Sequence, residues 1–406
     1  MTLRHRLAAA VTILALAACS TYDPNAVRPA PSTTTASTQD ATPTETPTPT
    51  PTFVAPATLT VMPEHGLKAA LPTDSLKVTV TGGDLTVFSV ATAKGTAVPG
   101  KLVDDQWKPD RNFIPHTKFV ATATAVNAAG DETTKKVAFS TLTPESNAWY
   151  DILYDGQTVG VGMPASIQFA TAVQTKQMRA EVERHITVTT TPRTAGSWGW
   201  LDNRQLMWRP AKYFKPGTRV AITANLAGIQ TGESKWVDHD ASGGFTIGDT
   251  HVSYVNIATH KMTITRNGET VKTIPVTTGK AGYITRSGTK VIIERRSAMR
   301  MNSTTVDIPA NSPDAYSIDV KYALRLTWTG EFVHAAPWSV ASQGVRNVSH
   351  GCTGMSTANA KWFFDFSRAG DIVQFTGSNR PLLSTDGIGV WTFTYEGWKA
   401  QSALAS

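Results

Sequence analysis

The sequence predicts a mainly β protein with two β-sandwiches, then a mostly β domain with one main helix and a C-terminal extension. Short alternating or β-branched segments recur along the chain, separated by glycine, asparagine and proline. One motif occurs twice at a spacing of about 100 residues, which indicates tandem domains. Hydrophobic residues make up 41% of the 406 residues, enough for buried cores.

The first predicted element is an export signal at residues 1–18. Arg4 and Arg6 precede an apolar run that is too short to span a bilayer comfortably. The small residues before Cys19 resemble the lipobox of bacterial lipoproteins, and this resemblance implies cleavage before Cys19 and lipidation of its thiol. An ordinary signal peptide with an incidental cysteine is the alternative.

Residues 19–56 are predicted to form a disordered tether. Proline, threonine and serine dominate, and a segment with so little to bury cannot offset its ordering entropy. We therefore expect an exported protein that is lipid-anchored to the outer face of the cytoplasmic membrane and faces the cell wall. The net charge of +7 suits a carboxylate- and phosphate-rich wall, although a merely basic surface explains it equally well. No basic and aromatic pattern argues for nucleic acid.

The repeated motif predicts two immunoglobulin-like sandwiches, at residues 57–142 and 143–249. Each copy places an aromatic–proline corner before an alternating strand, and the domain length fits this fold. The aligned residues are Trp107, Pro109, Phe113, Pro115 and Thr117 in the first copy and Trp208, Pro210, Phe214, Pro216 and Thr218 in the second. An irregular linker domain is the alternative for one copy. Neither copy has a catalytic pattern, so a spacer or weak wall-binding role is expected.

The third predicted domain covers residues 250–378, and a C-terminal extension covers 379–406. Asn267-Gly268 predicts a hairpin turn between two strands. More strands are expected at KVIIERR, ALRLTWTGEFVHAAPW and GDIVQFTG, and the one convincing helix runs from Ser356 to Phe366 with a cap at Ser356 or Thr357. The tryptophans of the extension, Trp391 and Trp398, are typical of residues that anchor packing.

Cys352, in the stretch VSHGCTGMS, is the candidate nucleophile. With Cys19 lipidated it has no partner for an internal disulfide, and a leftover thiol in an exported protein is a candidate reactive group. His350 is close enough in the chain to accept its proton, and Gly351 lets a substrate and backbone N–H groups approach. A second histidine, His334, precedes them on an expected strand. The alternative is a structural cysteine beside a coincidental histidine. No metal-ligand spacing is present, and neither a metal nor a cofactor is predicted.

Both histidine segments resemble the signature of the L,D-transpeptidases, which crosslink peptidoglycan. The matching residues are HAA from His334 and SHGC at 349–352, and GEFVHAAPWSVASQG, NAKWFFDF and RAGDIVQ are similar to the mycobacterial-type members. Those members also carry a lipidated or membrane-held N-terminus and two immunoglobulin-like domains. The family's final asparagine is replaced by Gly354, and its hydrophobic neighbour by Thr353. This departure puts the positioning of the donor substrate in doubt.

The resemblance implies an acyl-transfer mechanism. Cys352 attacks the carbonyl between meso-diaminopimelate and D-alanine in a tetrapeptide stem, D-alanine leaves, and a second stem's amine resolves the thioester into a 3→3 crosslink. His350 transfers the proton, Ser349 orients its imidazole, His334 supports the site, and the backbone N–H groups of Gly351 and Cys352 hold the oxyanion.

The resemblance also implies a lid at residues 295–316 and a set of substrate contacts. Carbapenem-class β-lactams are the implied covalent inhibitors. The implied contacts are Tyr316, Met301, Trp338, Thr329, Gly330 and Gly354, and the Tyr316 hydroxyl is also a candidate oxyanion donor.

Four other classes compete with this interpretation. Sortases place an arginine close after the cysteine, whereas Arg368 lies beyond the predicted helix. Papain-like peptidases place the cysteine before the histidine, the reverse of the order here. An L,D-carboxypeptidase would use the same residues with water as the acceptor, and a non-catalytic wall-binding lipoprotein would not need Cys352 at all.

Overall fold

The computed structural model describes residues 53–144 and 148–405. The predicted signal peptide, Cys19 and all but the last residues of the predicted tether lie outside the described residues. Within the two described ranges, no helix has both the length and the apolar character needed to cross a bilayer. The fold is mainly β, as predicted.

The first sandwich consists of two antiparallel four-stranded sheets. In the strand KFVATATAV every second residue is buried, because successive side chains point to opposite faces. The strands are β1 (Thr58–Met62), β2 (Leu76–Thr81), β3 (Asp84–Thr92), β4 (Ala97–Val98), β5 (Gly100–Val103), β6 (Gln106–Pro109), β7 (Lys118–Val126) and β8 (Glu132–Ser140). Their orders are β1-β2-β6-β5 and β4-β3-β7-β8.

The second sandwich pairs the sheets β10-β18-β15-β12 and β13-β14-β11-β9, with a separate β16–β17 ladder. Its elements are β9 (Tyr150–Ile152), β10 (Thr158–Val159), β11 (Ala165–Phe169), α1 (Lys176–Arg184), β12 (Ile186–Thr191), β13 (Gly196–Trp200), β14 (Gln205–Pro210), β15 (Arg219–Ala224), β16 (Gln230–Gly232), β17 (Lys235–Trp236) and β18 (Ala241–Ile247). Helix α1 was not expected from the sequence. Thr175 caps it by accepting a bond from the Met178 N–H at 3.1 Å, and this cap is the local signal that could have revealed it.

The repeated motif serves the same packing purpose in both sandwiches. The ring centroids of Trp107 and Phe113 lie 6.0 Å apart, and those of Trp208 and Phe214 also lie 6.0 Å apart. A glycine faces each indole closely: a Cβ on Gly196 would lie 2.3 Å from Trp208. The repeated motif therefore forms an equivalent part of the core in each sandwich.

The third domain combines a five-stranded sheet, β21-β20-β19-β27-β22, with a four-stranded sheet, β23-β24-β25-β26. The strands are β19 (His251–Asn256), β20 (Lys261–Arg266), β21 (Glu269–Pro275), β22 (Gly288–Val291), β23 (Glu294–Asn302), β24 (Ser317–Arg325), β25 (Phe332–Ala335), β26 (Thr353–Met355) and β27 (Ile372–Thr376). The predicted helix is α2 (Thr357–Phe366). Ser356 caps it and it packs on β24 and β25. The short α3 (Tyr395–Lys399) lies in the extension, and 3₁₀ turns occur at Ser303–Val306, Pro337–Ser342 and Gly389–Thr392.

Two predicted segments differ from the structure. KVIIERR is divided between β22 and β23, which belong to different sheets, because the chain leaves one sheet at Ile292 and enters the other at Glu294. The implied lid at residues 295–316 therefore has two parts: residues 295–302 belong to β23, which pairs with β24, and the longer part, residues 303–316, forms the connection between these two strands.

The second sandwich and the third domain share one hydrophobic core. Val220 and Phe245 of the sandwich belong to the same buried cluster as Ile293 and Ile372 of the third domain. The extension closes this junction around the buried Arg209, whose Nη2 donates to the Phe393 carbonyl at 3.0 Å and whose guanidinium lies 4.7 Å from the Trp391 ring centroid. The domain that carries the site thus packs directly against the second sandwich.

Candidate active site

Two neighbouring parallel strands position the candidate nucleophile and one histidine. Strand β25 carries His334, and β26 begins directly after Cys352, with His334 opposite Gly354 in the register. Both side chains line one cavity of about 460 Å³. The predicted site residues in its wall are Cys352, His334, His350, Ser349, Tyr316, Met301, Trp338 and Gly354.

The Cys352 thiol is partly exposed and lies 3.4 Å from the Gly330 carbonyl, to which it donates. Burial of the sulfur raises the pKa of Cys352 to about 12, and the negative charge of Glu331 acts in the same direction. The thiol is therefore protonated near neutral pH in this state. A thiol of this kind needs a base that removes its proton as it attacks.

His334 has the tautomer that a general base requires. Its Nδ1 lies 2.8 Å from the Ala335 carbonyl oxygen, which can only accept, so Nδ1 carries the proton. Burial lowers the pKa of His334 below its ordinary value, which keeps the ring neutral. Nε2 is then the unprotonated nitrogen, and it has no hydrogen-bond partner within the described ranges.

His350 is occupied differently. Its Nε2 lies 3.2 Å from Oδ1 of Asp314, and its ring packs between Tyr283, edge-on at 4.6 Å, and Tyr316, stacked at 5.3 Å. The pKa of Asp314 is lowered to about 2, first by a bond from Lys280 and then by the bond from His350, so this carboxyl is ionised. No local pattern pointed to Asp314, Lys280 or Tyr283.

Ser349 does not orient the His350 imidazole. Its hydroxyl donates to the Cys352 carbonyl at 2.6 Å and accepts from the Gly351 N–H at 3.1 Å, so it braces the turn itself. Gly351 has φ 125° and its carbonyl accepts from Thr285 at 2.8 Å. Because the Gly351 N–H is already used, the Cys352 N–H is the remaining backbone candidate for an oxyanion donor.

The predicted substrate contacts fall into two groups. Met301, Tyr316 and Trp338 line the cavity of Cys352, and the Trp338 side chain is exposed. Thr329 and Gly330 instead line a second, more polar cavity of about 560 Å³, which Tyr316 and His350 separate from the first.

Gly354 has a steric reason to lack a side chain. A Cβ at this position would lie 2.9 Å from the Ala336 Cβ and 3.1 Å from Cγ2 of Thr277. The Gly354 backbone exchanges both hydrogen bonds with Thr277, at 2.8 and 3.0 Å, so it cannot shift easily. In this chain the site leaves no room for the asparagine that the sequence resemblance places here.

A buried ionic cluster supports the turn that carries Gly330. Lys290 is fully buried and pairs with Glu331, which also accepts from the Arg286 guanidinium at 3.0 Å. From the extension, Asp386 accepts from the Thr329 N–H at 2.8 Å and from its hydroxyl at 2.5 Å. The extension therefore helps to fix the loop on which the thiol rests. Sequence reasoning missed this cluster because its members lie far apart along the chain.

The chain is similar to several known proteins. A family model described as a bacterial Ig domain matches residues 68–230, and one described as the L,D-transpeptidase catalytic domain matches residues 250–375. L,D-transpeptidase 2 of Mycobacterium tuberculosis is 34% identical over 334 residues, which cover 81% of this chain and 81% of that protein. L,D-transpeptidase 1 of the same species is 37% identical over 223 residues, covering 55% of this chain and 82% of that protein. A solved structure of a related transpeptidase with imipenem is 35% identical and covers 55% of this chain and 96% of that one, with a TM-score of 0.48.

Proposed function

The chain belongs to the L,D-transpeptidase family, and on that premise we propose that it forms 3→3 crosslinks in peptidoglycan through a thioester on Cys352. The observation that carries this proposal is the pairing of one thiol with one imidazole of fixed tautomer in the same cavity. A neutral imidazole with a free Nε2 can remove the thiol proton during attack.

The proposed reaction has two halves. His334 takes the proton of Cys352 as the sulfur attacks the carbonyl between diaminopimelate and D-alanine, and it returns that proton to the departing D-alanine amine. In the second half, the side-chain amine of another stem attacks the thioester, loses a proton to His334, and releases the thiol. The first half forms a C–S bond and breaks a C–N bond; the second does the reverse.

Assigning the base role to His334 differs from the sequence-based hypothesis, which gave it to His350. The reason is the hydrogen-bond partner of each ring. His350 donates to the Asp314 carboxylate, whereas the Ala335 carbonyl fixes the proton of His334 on Nδ1. His334→Gln should lower the rate of thioester formation by about 10²–10⁴-fold. His350→Gln should mainly raise the donor KM, and an equal loss of kcat in the two variants would contradict the assignment.

Intact mass spectrometry tests the proposed function directly. Incubation with a tetrapeptide donor should add the mass of the acyl group to the chain and release D-alanine, and an amine acceptor should remove that mass as crosslinked product. Cys352→Ala is the control that should do neither. Hydrolysed tripeptide in place of crosslinked product would indicate an L,D-carboxypeptidase. Absence of both D-alanine release and acylation would leave a wall-binding role.

Two further parts of the proposal concern inhibitors and location. Carbapenem-class β-lactams present a strained amide to the same thiol, so they should acylate Cys352. Lipidation of Cys19, followed by the Pro/Thr-rich tether, would hold the domains on the outer face of the cytoplasmic membrane. Metabolic labelling with a fatty acid should mark the parent chain and not Cys19→Ala, which is the matched control.

A further inference from the structure

The connection above the site places its own carboxylate on a set of three donors next to the reactive turn. Oδ1 of Asp314 lies 2.6 Å from Nζ of Lys280 and 3.2 Å from Nε2 of His350, and Oδ2 accepts from the Tyr283 hydroxyl at 3.1 Å. An ammonium, an imidazole N–H and a phenol converge on one carboxylate. This is the donor set that recognises a carboxylate group.

These donors belong to the same structural unit as the nucleophile. The Lys280 N–H donates to the Ser349 carbonyl at 2.9 Å, and Thr285 donates to the Gly351 carbonyl at 2.8 Å. The segment 279–285 therefore wraps the turn that ends at Cys352. His350 lines both the cavity that holds the thiol and the neighbouring polar cavity.

The contacts that hold Asp314 are partly exposed. The side chains of Lys280, Asp314 and His350 keep 37%, 33% and 23% of their exposure, and ion pairs exposed to this degree contribute little net stability. Asp314 comes from the connection between β23 and β24, not from the rigid turn. Another carboxylate can therefore replace it at little cost.

We propose that Lys280, Tyr283 and His350 bind the C-terminal carboxylate of the donor stem, and that Asp314 fills this site when no donor is bound. The inference rests on the proposed function. In that function the bond that breaks is the last peptide bond of the stem, so the free carboxylate lies one residue, about 3.8 Å, beyond the carbonyl that Cys352 attacks. Donor binding would then displace Asp314 and release the connection at residues 303–316.

Equilibrium binding to the full chain carrying Cys352→Ala tests this inference without requiring turnover. The two ligands are the stem tetrapeptide and the same peptide with a C-terminal carboxamide, so only the terminal charge differs. Asp314→Ala and Asp314→Asn should each strengthen binding of the acid by about two- to fivefold and leave the amide unchanged. Adding Lys280→Met should remove that gain.

Asp319→Asn is the matched control, because it removes an exposed carboxylate that pairs with Arg300 on the adjoining strands. It should change neither affinity. If Asp314→Asn changes the acid and the amide equally, or changes neither, the carboxylate site is refuted. Because catalysis is disabled in this background, failure of the site remains distinct from failure of the chain to release D-alanine.

Discussion

Two groups of charged residues flank the reactive turn, and they differ mainly in burial. The buried cluster, Lys290, Glu331, Arg286 and Asp386, supports the turn that holds the thiol. The lid cluster, Lys280, Tyr283, Asp314 and His350, is partly exposed, and two of its members line the same polar cavity as Arg286 and Glu331. Where water is excluded, paired charged side chains form a fixed structural support. Where water reaches them, the same kind of pair forms a contact that another charged group can replace.

The largest expected effect concerns the thiol that lies between the two clusters. With the pKa of Cys352 raised to about 12, alkylation by iodoacetamide should rise about tenfold per pH unit between pH 7 and 10. Peptide mapping at Cys352 separates it from Cys19. A plateau near neutral pH would show instead that an imidazole of the site holds the sulfur as a thiolate.

Breaking the buried cluster should cost more stability than any change to the lid cluster. Glu331→Gln leaves the ammonium of Lys290 buried without its counter-charge, and the free energy of unfolding should fall by about 3–5 kcal/mol. Urea unfolding monitored by tryptophan fluorescence measures the change. The double variant Glu331→Gln with Lys290→Met should recover most of the loss, and a double variant as unstable as the single one would argue against the ion pair as the cause.

A smaller loss of stability is expected where the C-terminal extension contacts the turn that carries Gly330. Asp386→Asn weakens the bonds from Thr329 and the charge opposite Arg286, whose Nη1 lies 3.5 Å away, so it should cost about 1–3 kcal/mol. It should also slow acylation of Cys352, since the Gly330 carbonyl loses its support. Asp319→Asn again serves as the control, and equal effects of the two substitutions would show that Asp386 has no special role.

The smallest effect concerns the pH dependence of the lid cluster. The pKa of Asp314 in the folded protein is about 2, below its ordinary value. Its contribution to stability is therefore fully present at any pH above that ordinary value and is lost as the pH falls through about 2. The difference in Tm between the parent and Asp314→Asn should be small and constant from about pH 5 to 8, and should vanish toward pH 2. A difference in Tm that changes with pH between about pH 5 and 8 would contradict this account of Asp314.

Elements with local causes were predictable from the sequence. Asn267-Gly268 adopts positive φ at both residues between β20 and β21, as that dipeptide favours. Ser356 caps α2 because its side chain is three residues from the N–H it binds. Helix α1 was missed because strands dominate around it and only its cap residue indicates a helix.

The sequence alone determined the mainly β class, the two repeated cores and the thiol preceded by two histidines, because periodicity, spacing and residue chemistry are local properties. Only the tertiary structure decided which histidine bonds to a backbone carbonyl and which to a carboxylate, why position 354 excludes a side chain, and which carboxylates surround the turn. Those features depend on contacts such as Asp314 with His350 and Asp386 with Thr329. Strand register and loop closure create such contacts between residues that are distant in the chain, and no local pattern records them.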